Sequence, residues 1–158
     1  MKICGPDDFE FVASIVKHET VLPLLIDDGS KECDVDEAIR TILTSRNWLV
    51  LAPNEYFIVV LQQRNSIAWE IHFQLLPAGR GNAVAAGKEA VRWMFEKTPC
   101  LKLMGSPSAE NQRAIRYGAK LGMVEHGVMT KAWLKDGRLT DLLITGQCKE
   151  DWELREEK

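Results

Sequence analysis

Residues Ala68 to Phe95 read AWEIHFQLLPAGRGNAVAAGKEAVRWMF, and the hydrophobic period changes twice along them. From Ala68 to Leu75 the pattern alternates. Trp69, Ile71, Phe73 and Leu75 fall on one face, Glu70, His72 and Gln74 on the other, which is the period of a half-buried strand. Pro77-Ala78-Gly79-Arg80-Gly81-Asn82-Ala83 cannot continue it, because proline removes a ladder donor and the glycines permit a tight turn. From Val84 onward the period becomes helical, with Val84, Gly87, Val91, Met94 and Phe95 on one stripe. A strand therefore runs through a glycine turn into a helix. Unpaired amides at such a helix start favour an anion, phosphate above all.

Outward from this unit, the flanking segments supply more strands and helices. Upstream, Trp48 to Ala52 and Tyr56 to Gln62 read as strands separated by Pro53-Asn54-Glu55. Earlier still, Lys2 to Cys4 is a short strand. Phe9, Val12 and Val16 begin a helix reaching about His18, and Asp34 caps a second helix with Glu37 three residues on. Between these helices, His18 to Gly29 is apolar but irregular, either a packed connection or a loop over a substrate pocket. Downstream, Pro99 stops the long helix and Cys100 to Met104 is a strand. Ser108 caps a further helix that turns Ala114, Ile115 and Leu121 inward and closes at Gly122. Met123 to Leu134 and Arg138 to Thr145 form a hairpin about Lys135-Asp136-Gly137. The predicted order is β-α-α-β-β-β-α-β-α-β-β. This is an α/β (α+β) domain over 1–148 with a mixed, mostly antiparallel sheet flanked by helices. A charged tail, 149–158, frays or lies on the surface.

Composition bounds the function. The 158 residues are 46% hydrophobic and 27% charged, ordinary for a globular chain large enough to bury a core. A net charge of −3 without a basic run argues against nucleic-acid or anionic-membrane partners. No signal peptide or membrane-spanning stretch is visible. The four cysteines are far apart and, with three histidines, form no zinc pattern. They read as reduced thiols of a cytoplasmic protein.

Three phosphate-binding patterns compete for the glycine turn. Val84 stands where the dinucleotide fingerprint needs its third glycine. Asn82 replaces the first glycine of a P-loop, and Glu89 follows Lys88 where Ser or Thr is required. The third pattern is Q/R-x-x-G-x-G/A, the acyl-CoA turn of the GNAT superfamily of N-acetyltransferases. Residues 78–83 resemble it at Gly81 and Ala83, with Ala78 in place of Gln or Arg. Leu75-x-Pro77-x-x-Arg80-Gly81-x-Ala83 is similar to the family's strand-to-turn motif. Asn111-x-x-Ala114 through Lys120-Leu121-Gly122-Met123 resembles its N-x-x-A…K-L-G-F helix. The resemblance runs from about Trp48 to Trp152. A narrower likeness, carried by EIHFQLLPAGRG, the WMF helix and His18-x-x-Val21-x-Pro23, is to small GNAT-like proteins of phages and prophages.

The resemblance implies an acetyl-CoA-dependent N-acetyltransferase acting on a primary amine, a protein N-terminus or a small amine, by direct attack. The central strand would splay from the strand after it, with pantetheine in the gap. The amide of Leu75 or Leu76 would polarise the thioester carbonyl. Amides of Gly79, Arg80, Gly81, Asn82 and Ala83 would hold the pyrophosphate, and Asn111 would bond the pantetheine arm. Glu70 and His72, on the polar strand face, are the candidate bases, with His18 and His126 behind them. The family's usual acid, a Tyr seven residues after the helix Asn, falls on Gly118. Tyr117 beside it is expected to be a packed aromatic. A second reading is a catalytically inactive GNAT-fold binding or structural module, such as a phage-particle component. The acceptor and homodimerisation stay open, as does the location, host cytoplasm or virion, should a phage encode the chain.

Overall fold

The computed structural model describes residues 1–157. It contains the strands β1 (Lys2–Cys4), β2 (Trp48–Asn54), β3 (Phe57–Gln63), β4 (Ala68–Leu75), β5 (Lys102–Gly105), β6 (Val124–Lys135) and β7 (Arg138–Cys148). The helices are α1 (Phe9–Val16), α2 (Leu22–Leu25), α3 (Val35–Thr44), α4 (Ala83–Lys97), α5 (Gln112–Lys120) and α6 (Lys149–Glu156). One seven-stranded sheet runs β1-β2-β3-β4-β5-β7-β6. Its pairings are antiparallel except β4 with β5, which is parallel. The mixed, mostly antiparallel sheet is thus as expected, with α2 and α6 added to the predicted order.

Both faces of the sheet are covered near its centre. On one face Leu51, Phe57, Val59, Leu61, Trp69 and Ile71 pack against Ala86, Ala90, Val91, Met94 and Phe95 of α4. On the other, Val50, Ala52, Ile58 and Val60 pack against Val12, Ala13 and Ile15 of α1 and Ile39 and Leu43 of α3. β3 lies between these layers, and Phe57 to Leu61 are all buried. Each such side chain stabilises the fold by about 1.5–3 kcal/mol relative to exposure. Two-sided cover alters the reading of β4. Its even-numbered face is not simply solvated: Glu70 and Gln74 are buried and His72 is partly exposed.

The buried stripe of α4 is Ala83, Ala86, Gly87, Ala90, Val91, Met94 and Phe95, with Val84 only half-buried. Its first half buries only Ala and Gly, and Gly87 is covered by Tyr117 and Leu121. Asp34 caps α3, its carboxylate accepting from the amides of Asp36 and Glu37. The cap of α5 is Asn111 rather than Ser108, and the helix begins at Gln112. Of its expected inward residues Leu121 is buried, whereas Ala114 and Ile115 are only half-buried. The β6–β7 hairpin closes through Asp136 (φ 50°) and Gly137 (φ 74°), the pair of positive φ values that a two-residue Asp-Gly turn requires.

The segment after Lys149 differs from expectation. It is helical, and Trp152 packs on Phe95 with ring centroids 5.5 Å apart. Arg155 Nη1 donates to the Gly122 carbonyl at 3.0 Å. The irregular stretch after α1 contains α2 and is held by the β6–β7 turn. Asp28 accepts from the amides of Asp136 and Gly137, and Lys135 Nζ donates to the carbonyls of Pro23 and Ile26.

Candidate active site

β4 and β5 pair only at Ala68–Lys102, Trp69–Leu103 and Glu70–Met104. β4 continues to Leu75 while β5 ends at Gly105, so the strands part beyond Glu70. On its other side β4 stays paired with β3 as far as Leu75, opposite Phe57. The Leu76 amide donates to the Tyr56 carbonyl at 2.9 Å. That corrects the expectation for Leu76, whose amide is committed to β3. Amides alternate between the two neighbours along a strand, so the Leu75 amide faces the β5 side, where the partner strand has ended. Of the two expected donors, Leu75 is thus the one whose amide β3 does not take.

The glycine turn is a 3₁₀ segment, Pro77–Asn82, leading directly into α4. The Gly79 amide donates to the Leu76 carbonyl and the Ala83 amide to the Arg80 carbonyl. These two, expected among the anion donors, are engaged within the turn. Gly79 is a packing glycine, because a Cβ there would stand 2.7 Å from the Tyr56 Cβ and 2.9 Å from a Leu75 methyl. Gly81 is the opposite case, with nothing within 4 Å of its Cβ direction. Arg80, Gly81 and Asn82 are exposed, and they form the accessible part of the turn. Asn111 lies partly exposed at the start of α5, and its Oδ1 accepts from the Ala114 amide at 3.0 Å. That oxygen caps the helix.

At the point where β4 and β5 diverge, Glu70 and His72 project on the α1 side. The Ser106 hydroxyl, just past β5, donates to Glu70 Oε1 at 2.6 Å. Arg64, in the β3–β4 turn, donates to Oε2 through Nε at 2.8 Å and also through Nη2. His72 Nε2 lies 3.7 Å from Oε1. Burial of Glu70 disfavours its charge, but the Ser106 and Arg64 hydrogen bonds and the nearby His72 and Arg64 outweigh it. The carboxyl is held below its ordinary range. An ionised, triply donated carboxylate takes up a proton poorly, which weighs against the expectation of Glu70 as base. His72 is also pushed below the ordinary histidine value, by burial first, with Glu70 opposing and Arg64 adding to the depression. At neutral pH its imidazole is neutral and competent to accept a proton.

The remaining candidates lie elsewhere. His18 Nδ1 contacts the Thr20 hydroxyl, and His126 Nε2 contacts Lys102 Nζ. Tyr117 donates to the Ala83 carbonyl at 2.7 Å and packs edge-on against Phe57 and Phe73. Burial drives its phenol well above the ordinary tyrosine value. It is the packed aromatic that its position implied. Arg64 and Ser106 were not singled out in the sequence. Arg64 was within reach: with Gln62 paired to Glu70 and Gln63 to Trp69, residue 64 lies diagonally beside Glu70 across a short turn. Ser106, 36 residues from Glu70, left no comparable sign.

All four cysteines are free. Among the described residues no group of His, Cys, Asp and Glu is arranged to hold a metal ion. No described helix is long and apolar enough to cross a membrane.

No family model and no curated protein matches the chain. Solved structures do. A spermidine N-acetyltransferase from Vibrio cholerae, crystallised with CoA and spermine, superposes with a TM-score of 0.77 at 17% identity, covering 96% of each chain. A single-site mutant of the Vibrio cholerae enzyme gives 0.78 at 16% identity, covering 98% of this chain and 96% of its own. A ribosomal-protein-S5-alanine acetyltransferase from Vibrio fischeri gives 0.74 at 17% identity, covering 96% of this chain and 93% of its own. The chain has the fold of these GNAT acetyltransferases.

Proposed function

We propose that this protein is an acetyl-CoA-dependent N-acetyltransferase whose acceptor is a primary amine. The observation that supports it best is the parting of β4 from β5 on the strand that leads into the exposed Arg80-Gly81-Asn82 turn. The residues present fit the co-substrate. The Leu75 amide faces an unpaired gap, and Gly81 leaves open space where a pyrophosphate would approach the backbone. Arg80, Gly81 and Asn82 would hold the phosphates, Arg80 adding charge. When bound, acetyl-CoA supplies an activated acyl group with a good leaving thiolate. The Leu75 amide would steady the carbonyl oxygen as charge develops there, an effect worth about 10²–10³ in rate. His72 would accept the proton that the amine must lose, worth about 10²–10⁴. Gly118 offers no side chain to the leaving sulfur, and solvent would protonate it.

Structural neighbours named for spermidine and for a ribosomal-protein alanine support an amine acceptor, whether a small amine or a protein N-terminus. Gly118 and Ala78 favour the alternative, an inactive module retaining the turn. The phage likeness rests on the sequence strings, and the intracellular location on the scattered cysteines.

Calorimetric titration of acetyl-CoA tests the reading. Gly81→Glu places a negative side chain into space free of protein atoms, so the fold is retained while binding is lost. Unchanged affinity in that variant refutes the assigned turn. Binding by the wild type, with no transfer to polyamines or to peptide N-termini, selects the inactive module.

A further inference from the structure

We propose that Arg64 and Ser106 are positioning residues: by clamping Glu70 they hold His72 with its proton on Nε2, leaving Nδ1 as the atom that accepts the amine proton. This deepens the acetyltransferase reading and rests on it for its catalytic part only.

The clamp is visible in the geometry. Oε2 of Glu70 takes two donors from Arg64, and Oε1 takes Ser106. The carboxylate cannot swing away without breaking one of them. Oε1 then faces His72 Nε2 at 3.7 Å, too far for a hydrogen bond but close enough for the charge to orient the ring. With a proton on Nε2 the N–H dipole points at the carboxylate. With the proton on Nδ1, the Nε2 lone pair would face it instead, which a partly desolvated site disfavours. The partner of one ring nitrogen thus decides the chemistry of the other.

Among the described residues no other side chain competes for this control. β3 presents Val60 opposite His72, and β5 presents Met104 beside Glu70, with Ser106 just beyond. α1 buries Val12, Ala13 and Ile15 on this face. The charged groups acting on His72 are Glu70 and Arg64. During transfer the amine nitrogen bonds to the acetyl carbon as the carbon–sulfur bond breaks, its electron pair leaving on sulfur. The amine proton passes to Nδ1, and the imidazolium is stabilised by Glu70. That proton then returns through solvent to the thiolate, restoring neutral His72. Ser106 stands where β4 and β5 part, so the clamp is built into the mouth of the gap itself.

The test is long-range ¹H–¹⁵N correlation of the imidazoles in the free protein, with the His72 signals identified by their loss in His72→Gln. The expected wild-type tautomer is Nε2–H. Glu70→Gln lowers the His72 titration midpoint by removing the opposing charge. Arg64→Met raises it, by removing a cation and unmasking Glu70. Ser106→Ala, which changes no charge and only exchanges a hydroxyl for hydrogen, weakens the tautomer preference. It lowers kcat about tenfold, the scale of one oriented hydrogen bond, without changing acetyl-CoA affinity. A wild-type Nδ1–H tautomer, or a midpoint unmoved in Glu70→Gln, overturns the clamp whatever the activity. Shifted midpoints in a protein that acetylates no amine uphold the clamp and overturn the enzyme reading.

Discussion

At Gly87 a side chain would overlap the Tyr117 hydroxyl and come within 2.9 Å of a Leu121 methyl. The glycine lets α5 lean on α4 closely enough for Tyr117 to donate to the Ala83 carbonyl. Gly87→Ala should cost about 1–3 kcal/mol by overpacking, read from urea denaturation. Placed on Tyr117→Phe, the same change should cost clearly less, because the nearest obstacle is then gone. Equal costs in the two backgrounds would show that Leu121 governs the fit. Tyr117→Phe alone should leave turnover within a few-fold of wild type, since the hydroxyl is committed to the Ala83 carbonyl. A loss of about a hundredfold, the low end for a general acid, would return Tyr117 to the chemistry. Gly118 is different: its Cβ direction meets only Met123, at 3.6 Å. One position of α5's surroundings is glycine because space is lacking, the other despite space, and the letters alone cannot tell them apart.

At the scale of elements, local patterns were legible and distant partnerships were not. The change of period at Pro77 marked the strand, the turn and α4, because each depends on residues within one turn of one another. The Asp-Gly hairpin was legible for the same reason. Hidden from the sequence were the Tyr56 carbonyl that takes the Leu76 amide, and the Ser106 hydroxyl that takes Glu70. Both partners arrive through sheet register, which no local signal encodes. The helix α6 was missed because its composition is charged and a single residue, Trp152, supplies the apolar anchor. That anchor predicts a measurable cost. Trp152→Ala should destabilise the protein by about 2–3 kcal/mol, under the range for fully buried aromatics, since the ring is only partly covered. Arg155→Ala should add to this, because its guanidinium occupies the space over Gly122, a glycine at φ 89°. An unchanged thermal midpoint in Trp152→Ala would mean that α6 contributes nothing to the fold.

On the scale of the whole molecule, the β6–β7 turn fastens the segment joining α1 to α3, two helices that cover the sheet face carrying Glu70 and His72. Residues more than a hundred positions apart meet there. Lys135 donates to the Pro23 and Ile26 carbonyls, both at 2.7 Å, and Asp28 receives the Asp136 and Gly137 amides at 3.0 and 2.7 Å. Lys31, first, and then those amides hold the Asp28 carboxyl down to about 2. The sign follows from that depression. The folded-state pKa lies below the unfolded value, so the carboxylate's contribution is complete above the ordinary aspartate range. It is lost only as pH falls towards 2. The fastening is therefore constant across physiological pH, its role is architectural, and it makes the reading of His18 to Gly29 as a loop over a substrate pocket testable. Asp28→Ala should accelerate amide hydrogen exchange over residues 22–30 and at the hairpin tip. It should raise the acceptor KM several-fold and leave acetyl-CoA affinity unchanged, since the Arg80-Gly81-Asn82 turn takes no part in these contacts. Faster exchange with an unaltered acceptor KM would mean that the segment does not border the acceptor's path. Unaltered exchange would mean that Lys135 alone suffices to hold it, which Lys135→Met on the same background would then release.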